Sequence, residues 1–373
     1  ITIDYLQLMS APGGLGPYNA LQTDYEQDVL GSGSFQGKGI IDPAAFLEAT
    51  EGKILPGLVL SHDLLEGQLV VPQFVLAELR RLKAGQEIRK EGPQWHAGKA
   101  GTPTMGGILI LISVTVTSLI YIKDYPKVLP ILLLTLGFGL VGFLDDFIKV
   151  VLNRSMGLKP WQKMFLQVIV TGVFAWYLEC DGGIGALKIP FYQGYYIDFG
   201  VWNIPLLFLI VVGTANGTNF TDGLDGLASS VTVLVATFFT VVAVGTEAGC
   251  FPITCAVTGA LLGFLLFNVH PACVFMGDTG SLALGGFVAG CAYVMQLPLY
   301  LPLVGFIYVA EVLSVIIQVV YYKISSGRRL FKMAPLHHHF ELCGMNENQI
   351  VLMYAAVTLV LSLIAVWSMH LFY

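Results

Sequence analysis

The chain has 373 residues, 55% of them hydrophobic and only 12% charged, with a mean hydropathy of +0.73 and a formal net charge of −6. A soluble protein of this length carries about 25% charged residues, so half that share speaks against a soluble enzyme and points to an all-α polytopic membrane protein. Six cysteines, Cys180, Cys250, Cys255, Cys273, Cys291 and Cys343, show no C-x-x-C spacing, which argues against a zinc or disulfide framework, and no nucleic acid is expected as a partner.

In chain order, residues 1 to about 67 are polar, rich in Gly, Asp and Glu, and contain no candidate span. The run Leu69–Leu79 is apolar but short and is interrupted by Glu78; no basic stretch followed by an apolar core marks a signal peptide. From Thr104 the pattern changes to apolar runs separated by short polar loops: Thr104–Ile122, Val128–Leu144, Trp161–Leu178, Gly200–Thr214, Leu227–Val244, Ile253–Phe267, Leu282–Met295, Leu301–Tyr322 and Ile350–Tyr373. These are nine predicted transmembrane helices, some borrowing from their flanks to reach the ~20 residues a bilayer needs. Nine spans put alternate loops on opposite sides. One side collects Arg80, Arg81, Lys83, Arg89, Lys90, Lys99, Lys149, Arg154, Lys159, Lys163, Lys323, Arg328, Arg329 and Lys332, against Lys123, Lys127 and Lys188 on the other. The first side is therefore expected to be cytoplasmic and the C-terminus outside.

The same alternation assigns Asp145, Asp146, Asp222, Asp225, Asp278 and the histidines at 337 to 339 to the cytoplasmic side. An ionised Asp costs ~3 kcal/mol at the bilayer centre, so such acids need water, a partner or a metal. Gly101-Thr102-Pro103-Thr104-Met105-Gly106-Gly107, with Lys99 before it, offers hydroxyls and a cation to a phosphate, although a helix start explains it equally well. Asp145-Asp146 with Lys149 ends an apolar run. Adjacent carboxylates leave a helix on different faces, which argues against both serving one ion, and a solvated helix end explains the pair taken alone. Asp222 and Asp225 stand three apart among glycines in Asn219-Phe220-Thr221-Asp222-Gly223-Leu224-Asp225-Gly226; they suit a metal or a ribose or base edge, with a helix cap at Asp222 as the competing reading. Asp278, in Phe275-Met276-Gly277-Asp278-Thr279-Gly280-Ser281, precedes a predicted helix, where a cap or a phosphate and Mg²⁺ site is expected. His337-His338-His339 are too closely spaced to share one ion and suit phosphate binding instead.

GTPTMGG, GFLDDFIK, NFTDGLDGL, VFMGDTGSLALGG and MAPLHHHFE, in this order between spans, closely resemble the bacterial phospho-N-acetylmuramoyl-pentapeptide transferases, within the superfamily of polyprenyl-phosphate phospho-sugar transferases. The resemblance runs from about Leu79 to the C-terminus, and the PLHHHFE form points to the muramoyl-pentapeptide branch. It implies a homodimer of ten-span protomers in the bacterial plasma membrane, with a cytoplasmic active-site cleft. UDP-N-acetylmuramoyl-pentapeptide and undecaprenyl phosphate would there give lipid I and UMP with Mg²⁺, the first membrane step of peptidoglycan synthesis. It also implies Asp278 as the metal ligand and Asp145 and Asp146 as the pair handling the lipid phosphate. Asn219, Asp222 and Phe275 would hold the uracil and ribose, with Asp225 in the same motif. Lys99, Thr104, Lys149, Lys163 and Asn268 would line the cleft, and His337 and His338 match the family's essential histidines.

Two departures stand out. The family's Pro-Ala-Lys is Pro271-Ala272-Cys273 here, which removes one positive charge. The family's first helix is replaced by an unrelated segment, so the chain divides into an atypical 1–78 and a transferase part, 79–373. Ile1–Met9 resembles the acidic strand of a replicative helicase ATPase without its phosphate loop, residues 25 to about 67 resemble a piece of a cyclic β-glucan synthase or carbohydrate phosphorylase, and Leu69–Leu82 a piece of a PIN-type nuclease. Each is too short to act alone, and a composite segment is expected. A UDP-N-acetylglucosamine transferase, a transporter with an acidic coupling site and an inactive fusion are the competing functions.

Overall fold

The computed structural model of the protein describes residues 102–151, 157–192 and 194–369. The expectations placed on 1–78 and on Lys99 lie outside the described residues.

Each of the nine apolar runs carries a helix. They are α1 (Gly107–Tyr121), α2 (Val128–Val151), α3 (Pro160–Cys180), α4 (Asn203–Thr221), α5 (Leu227–Gly245), α6 (Phe251–Asn268), α7 (Gly277–Val294), α9 (Phe306–Ile324) and α11 (Glu347–Ser368). A four-residue α8 (Leu301–Val304) and the seven-residue α10 (Leu336–Leu342) complete the α-helices among the described residues. The ends follow local chemistry. Pro160 opens α3, where the Lys159 amide donates to Gln162 Oε1 at 3.0 Å. Asn346 caps α11, accepting from the Gln349 amide at 2.9 Å while Gln349 returns the bond at 3.0 Å.

Among the described residues, seven helices are long and apolar enough to cross a membrane: α2, α3, the Gly200–Thr221 stretch containing α4, α5, α6, α9 and α11. The remaining two of the nine helices, α1 and α7, fall outside this set for different reasons. Helix α1 is apolar but has 15 residues, about 22 Å at 1.5 Å per residue, short of a ~30 Å hydrocarbon layer. Helix α7 has 18 residues and is diluted by Gly, Ser, Thr and Asp278, because it faces protein instead of lipid. Every residue of α7 from Thr279 to Tyr293 is buried. The sequence reading also expected no strands. The loop between α3 and α4 makes a two-residue antiparallel hairpin, β1 (Leu187–Lys188) with β2 (Tyr196–Ile197), in a segment where Gly182, Gly183 and Gly185 at positive φ and Pro190 stop either helix from continuing.

Helix α7 is the axis of the fold. It packs most extensively on α2 and next on α4. Small residues permit this closeness, as is common where helices associate in lipid. A Cβ at Gly142 of α2 would collide with the Asp278 carbonyl, so the glycine seats the acidic end of α2 directly against the start of α7. Fully buried Phe138, Leu207, Val211, Ala215 and Leu282 fill the space between α2, α4 and α7.

Candidate active site

Helix α2 delivers Asp145, Asp146 and Lys149 at its end, α3 delivers Lys163 in its first turn, α4 delivers Asn219 in its last turn, and α7 begins with Asp278. Four helix ends thus meet at one place. The Lys149 ammonium lies 2.6 Å from Asp145 Oδ2, 3.5 Å from Asp146 Oδ1 and 2.7 Å from Asp278 Oδ2. Lys163 Nζ adds a second cation 3.0 Å from Asp278 Oδ2 and 3.3 Å from Asn219 Oδ1. The Asn219 amide donates to Asp278 Oδ1 at 2.7 Å and to Ser281 Oγ at 2.9 Å.

The adjacent carboxylates do leave α2 in different directions, yet carboxylate oxygens of Asp145, Asp146 and Asp278 lie within 4.8 Å of one another. Each acid of α2 divides its labour. Asp145 Oδ1 accepts from the Leu158 amide at 2.8 Å, and Asp146 Oδ2 accepts from the amide and the hydroxyl of Thr279 at 2.8 and 2.7 Å. The remaining oxygen of each faces the shared centre. Gly277 makes this possible: its φ of 75° is in the left-handed region, and a Cβ there would stand 2.7 Å from Asp146 Oδ2.

The segment before α1 forms the rear of the site. Gly106 and Gly107 amides donate to the carbonyls of Phe275 and Met276, each at 2.9 Å, and the Phe275 amide donates to the Pro103 carbonyl at 2.8 Å. Thr104 is nearly buried here, and Phe275 is half-buried. Asn268 is 3% exposed, accepts from Ser229 Oγ at 2.8 Å and donates to the Val274 carbonyl at 2.9 Å. Both ends of its amide therefore hold the loop that carries Phe275.

Asp222 and Asp225 lie in the loop after α4 and part company. The cap predicted at Asp222 for α5 is not formed. The N-cap is Gly226, without a side-chain bond, and Asp222 instead ends α4. Burial pushes the Asp222 carboxyl up to about 8, helped by the negative charges of Asp278, Asp146 and Asp225 and opposed by a hydrogen bond from the Gly277 amide. A carboxyl raised in the fold favours folding in its protonated form, so the metal-free protein loses stability as pH rises from the ordinary value near 3.8 to about 8. Asp222→Asn is expected to flatten that part of the curve of melting temperature against pH. Asp225 turns elsewhere: its Oδ2 lies 2.9 Å from His270 Nδ1 and accepts from the Ala272 amide at 3.1 Å, and His270 Nδ1 is 3.6 Å from Glu347 Oε2. Asp225, His270 and Glu347 make a second cluster of ligand-type atoms within 4.8 Å.

The histidines differ from one another. His337 is 1% exposed, and its Nε2 lies against Gly223, where any Cβ would overlap it. Its Nδ1 is 3.3 Å from Glu311 Oε2, within ion-pair distance but not aligned as a hydrogen bond. His338 is half-buried and is held by Glu341 at 2.7 Å; His339 Nδ1 accepts from the Lys332 amide at 3.1 Å. Glu311 is the residue that sequence reasoning missed. It is 1% exposed in α9 and accepts from the Leu336 amide at 2.8 Å, the His337 amide at 3.3 Å and the Tyr354 hydroxyl at 2.7 Å. It thereby satisfies the open N-terminus of α10 from a neighbouring helix. An acid inside the apolar run Leu301–Tyr322 was the available signal.

Fold and site together define a multi-helix membrane-type protein whose acidic, lysine-balanced centre is suited to phosphate chemistry. The family model for glycosyl transferase family 4 matches residues 128–296, and the first signature of phospho-N-acetylmuramoyl-pentapeptide-transferase matches residues 99–111. The chain is 47% identical over 300 residues to the phospho-N-acetylmuramoyl-pentapeptide-transferase of Clostridium botulinum, covering 79% of this chain and 91% of that protein. It is 48% identical over 307 residues to that of Carboxydothermus hydrogenoformans, covering 80% and 93%, and 45% identical over 303 residues to that of Caldanaerobacter subterraneus, covering 81% and 95%. The chain belongs to the phospho-N-acetylmuramoyl-pentapeptide-transferase family.

Proposed function

We propose that the chain transfers phospho-N-acetylmuramoyl-pentapeptide from its UDP carrier to undecaprenyl phosphate, giving lipid I and UMP. The observation that carries this reading is the meeting of Asp145, Asp146 and Asp278 with Lys149 and Lys163 at one point. Phosphoryl transfer asks a protein chiefly to position groups and neutralise charge, which this set does.

The donor set fits Mg²⁺. The ion takes one or two carboxylates and fills its remaining positions with substrate phosphate oxygens, and the Lys149 ammonium already marks a place for a cation among the three acids. Asp278 would be its principal ligand, with an oxygen of Asp145 or Asp146 beside it. Held there, Mg²⁺ would supply charge neutralisation for the diphosphate and for the departing UMP. In direct attack, an oxygen of the lipid phosphate forms a bond to the sugar-bearing phosphorus while the diphosphate P–O bond breaks. One of Asp145 and Asp146 keeps that lipid phosphate deprotonated and aligned. Lys163 and Lys149 balance the charge of the diphosphate. Asn219 at the end of α4, Asp222 in the loop that follows and Phe275 in the segment before α7, with Asp225 beyond, would receive the uridine, and His337, which lies against Gly223, and His338 would act from α10.

The reading includes nine spanning helices, a cleft on the cytoplasmic face of the bacterial plasma membrane, the C-terminus outside, a homodimer, and 79–373 as the transferase part with no separate activity in 1–78. It is tested by UMP release from UDP-N-acetylmuramoyl-pentapeptide with undecaprenyl phosphate, in Mg²⁺ and after chelation, with UDP-N-acetylglucosamine as the competing donor. Release that needs Mg²⁺ and the muramoyl donor is expected. Turnover of UDP-N-acetylglucosamine alone, or of neither donor, would reject the assignment.

A further inference from the structure

The helices that build the acidic centre also build a second cavity at their opposite ends. It holds about 380 Å³ and is formed where α2 begins and where α3, α5, α7 and α11 end, beside the β1–β2 hairpin. Tyr293 in its wall stands 15 residues along α7 from Asp278, about 22 Å away at 1.5 Å per residue. No residue of this wall belongs to the acidic centre.

The wall is rich in donors that lack partners. Its two cations are Lys127 and Lys188, and its one acid is Asp181. Neither lysine has an ion pair among the described residues, and burial alone pushes the Lys188 ammonium down, with no carboxylate holding it up. Tyr293 is 3% exposed and its hydroxyl is buried without a hydrogen-bond partner among the described residues, an arrangement that costs about 1–3 kcal/mol unless something accepts from it. Gln296, at a positive φ of 60°, adds an amide to the same wall. Val242, Val294, Leu297 and Met369 supply apolar flanks.

We infer that this cavity is a binding site for a phosphate-bearing anion, seated between Lys127, Lys188 and the Tyr293 hydroxyl, with Asp181 and Gln296 placed to meet hydroxyls on the same molecule. Two ammonium groups against one carboxylate leave a net positive charge for the anion. A cavity of this size takes a phosphate together with a few attached carbons. Phosphate-headed lipids and free phosphate esters share this chemistry. The site lies where helices long enough to cross a membrane end, within reach of headgroups.

The test uses the purified full chain in neutral detergent, followed by thermal unfolding at constant ionic strength. Three additions are compared: mixed micelles with phosphatidylglycerol, mixed micelles with phosphatidylcholine, and inorganic phosphate. A saturable rise in melting temperature is expected with phosphatidylglycerol. A rise with inorganic phosphate as well identifies the phosphate group itself as sufficient. Lys188→Gln and Lys127→Gln should each weaken the apparent affinity about tenfold, the worth of one charge-assisted contact, while Asp278→Asn leaves it unchanged. Tyr293→Phe separates this from a structural role. It removes an orphan hydroxyl, so it should raise the melting temperature of the unliganded protein yet shrink the anion-induced rise. The absence of a rise in every arm, or a rise that ignores both lysine substitutions, would overturn the inference.

Discussion

Asp278→Asn is expected to lower UMP release by at least about 100-fold, the scale seen when one preorganised electrostatic contact to a transition state is removed. The reason lies in how many groups use this carboxylate. Lys149 and Lys163 both reach its Oδ2, and Asn219 donates to its Oδ1. Asparagine keeps the shape but presents an NH₂ group where one of these donors needs an acceptor, and it removes the charge that holds two ammonium groups together. The effect should therefore appear in kcat more than in KM for the nucleotide, because uridine contacts are assigned to the loop after α4. Full-length variant and parent would be compared for UMP release across Mg²⁺ concentrations. A variant that keeps activity at the parental Mg²⁺ requirement would remove Asp278 from the metal site.

The second large effect is expected at Glu311, which no part of the proposed chemistry touches directly. Glu311→Ala strands the buried His337 amide and Tyr354 hydroxyl and the partly buried Leu336 amide. Removing one side of such a buried charged cluster costs about 3–5 kcal/mol, enough to lower the melting temperature substantially. Glu311→Gln retains a carbonyl acceptor for the start of α10 and should recover much of that stability. It loses the negative charge 3.3 Å from His337 Nδ1, however, and with it the force that fixes which ring nitrogen carries the proton. We expect Glu311→Gln to fold while losing about tenfold or more in kcat, with nucleotide KM little changed and the pH profile displaced. Equal recovery of stability and turnover in Glu311→Gln would show that the carboxyl serves only to cap α10.

The outline of this architecture was legible because apolar runs and polar loops have different compositions. All nine runs carry helices, and the adjacent Asp145 and Asp146 meet Asp278, from a distant part of the sequence, at one centre. The sequence could not show that α7 is enclosed by its neighbours. Hydropathy measures suitability for lipid, and a helix buried in protein has no need of it. Nor could it show that Asp145 and Asp146 share a centre, since helical spacing describes directions from one axis and says nothing of Asp278 arriving opposite them. Asp225 and Glu347 are far apart in the chain, and His270 joins them only through folding. Asn268 illustrates the converse. The resemblance implies a place for it along the cleft, and the structure adds that both ends of its amide hold the loop that carries Phe275.

Lys149 stands among three aspartates and Lys163 beside one of them. Two ammonium groups facing three carboxylates leave a single uncompensated negative charge, so the resting machinery is close to electrical balance on its own. A doubly charged ion entering alone would tip the sum to plus one, and a nucleotide diphosphate entering alone would drive it strongly negative. Arriving as a pair, they nearly cancel, which makes joint entry the route of least electrostatic resistance.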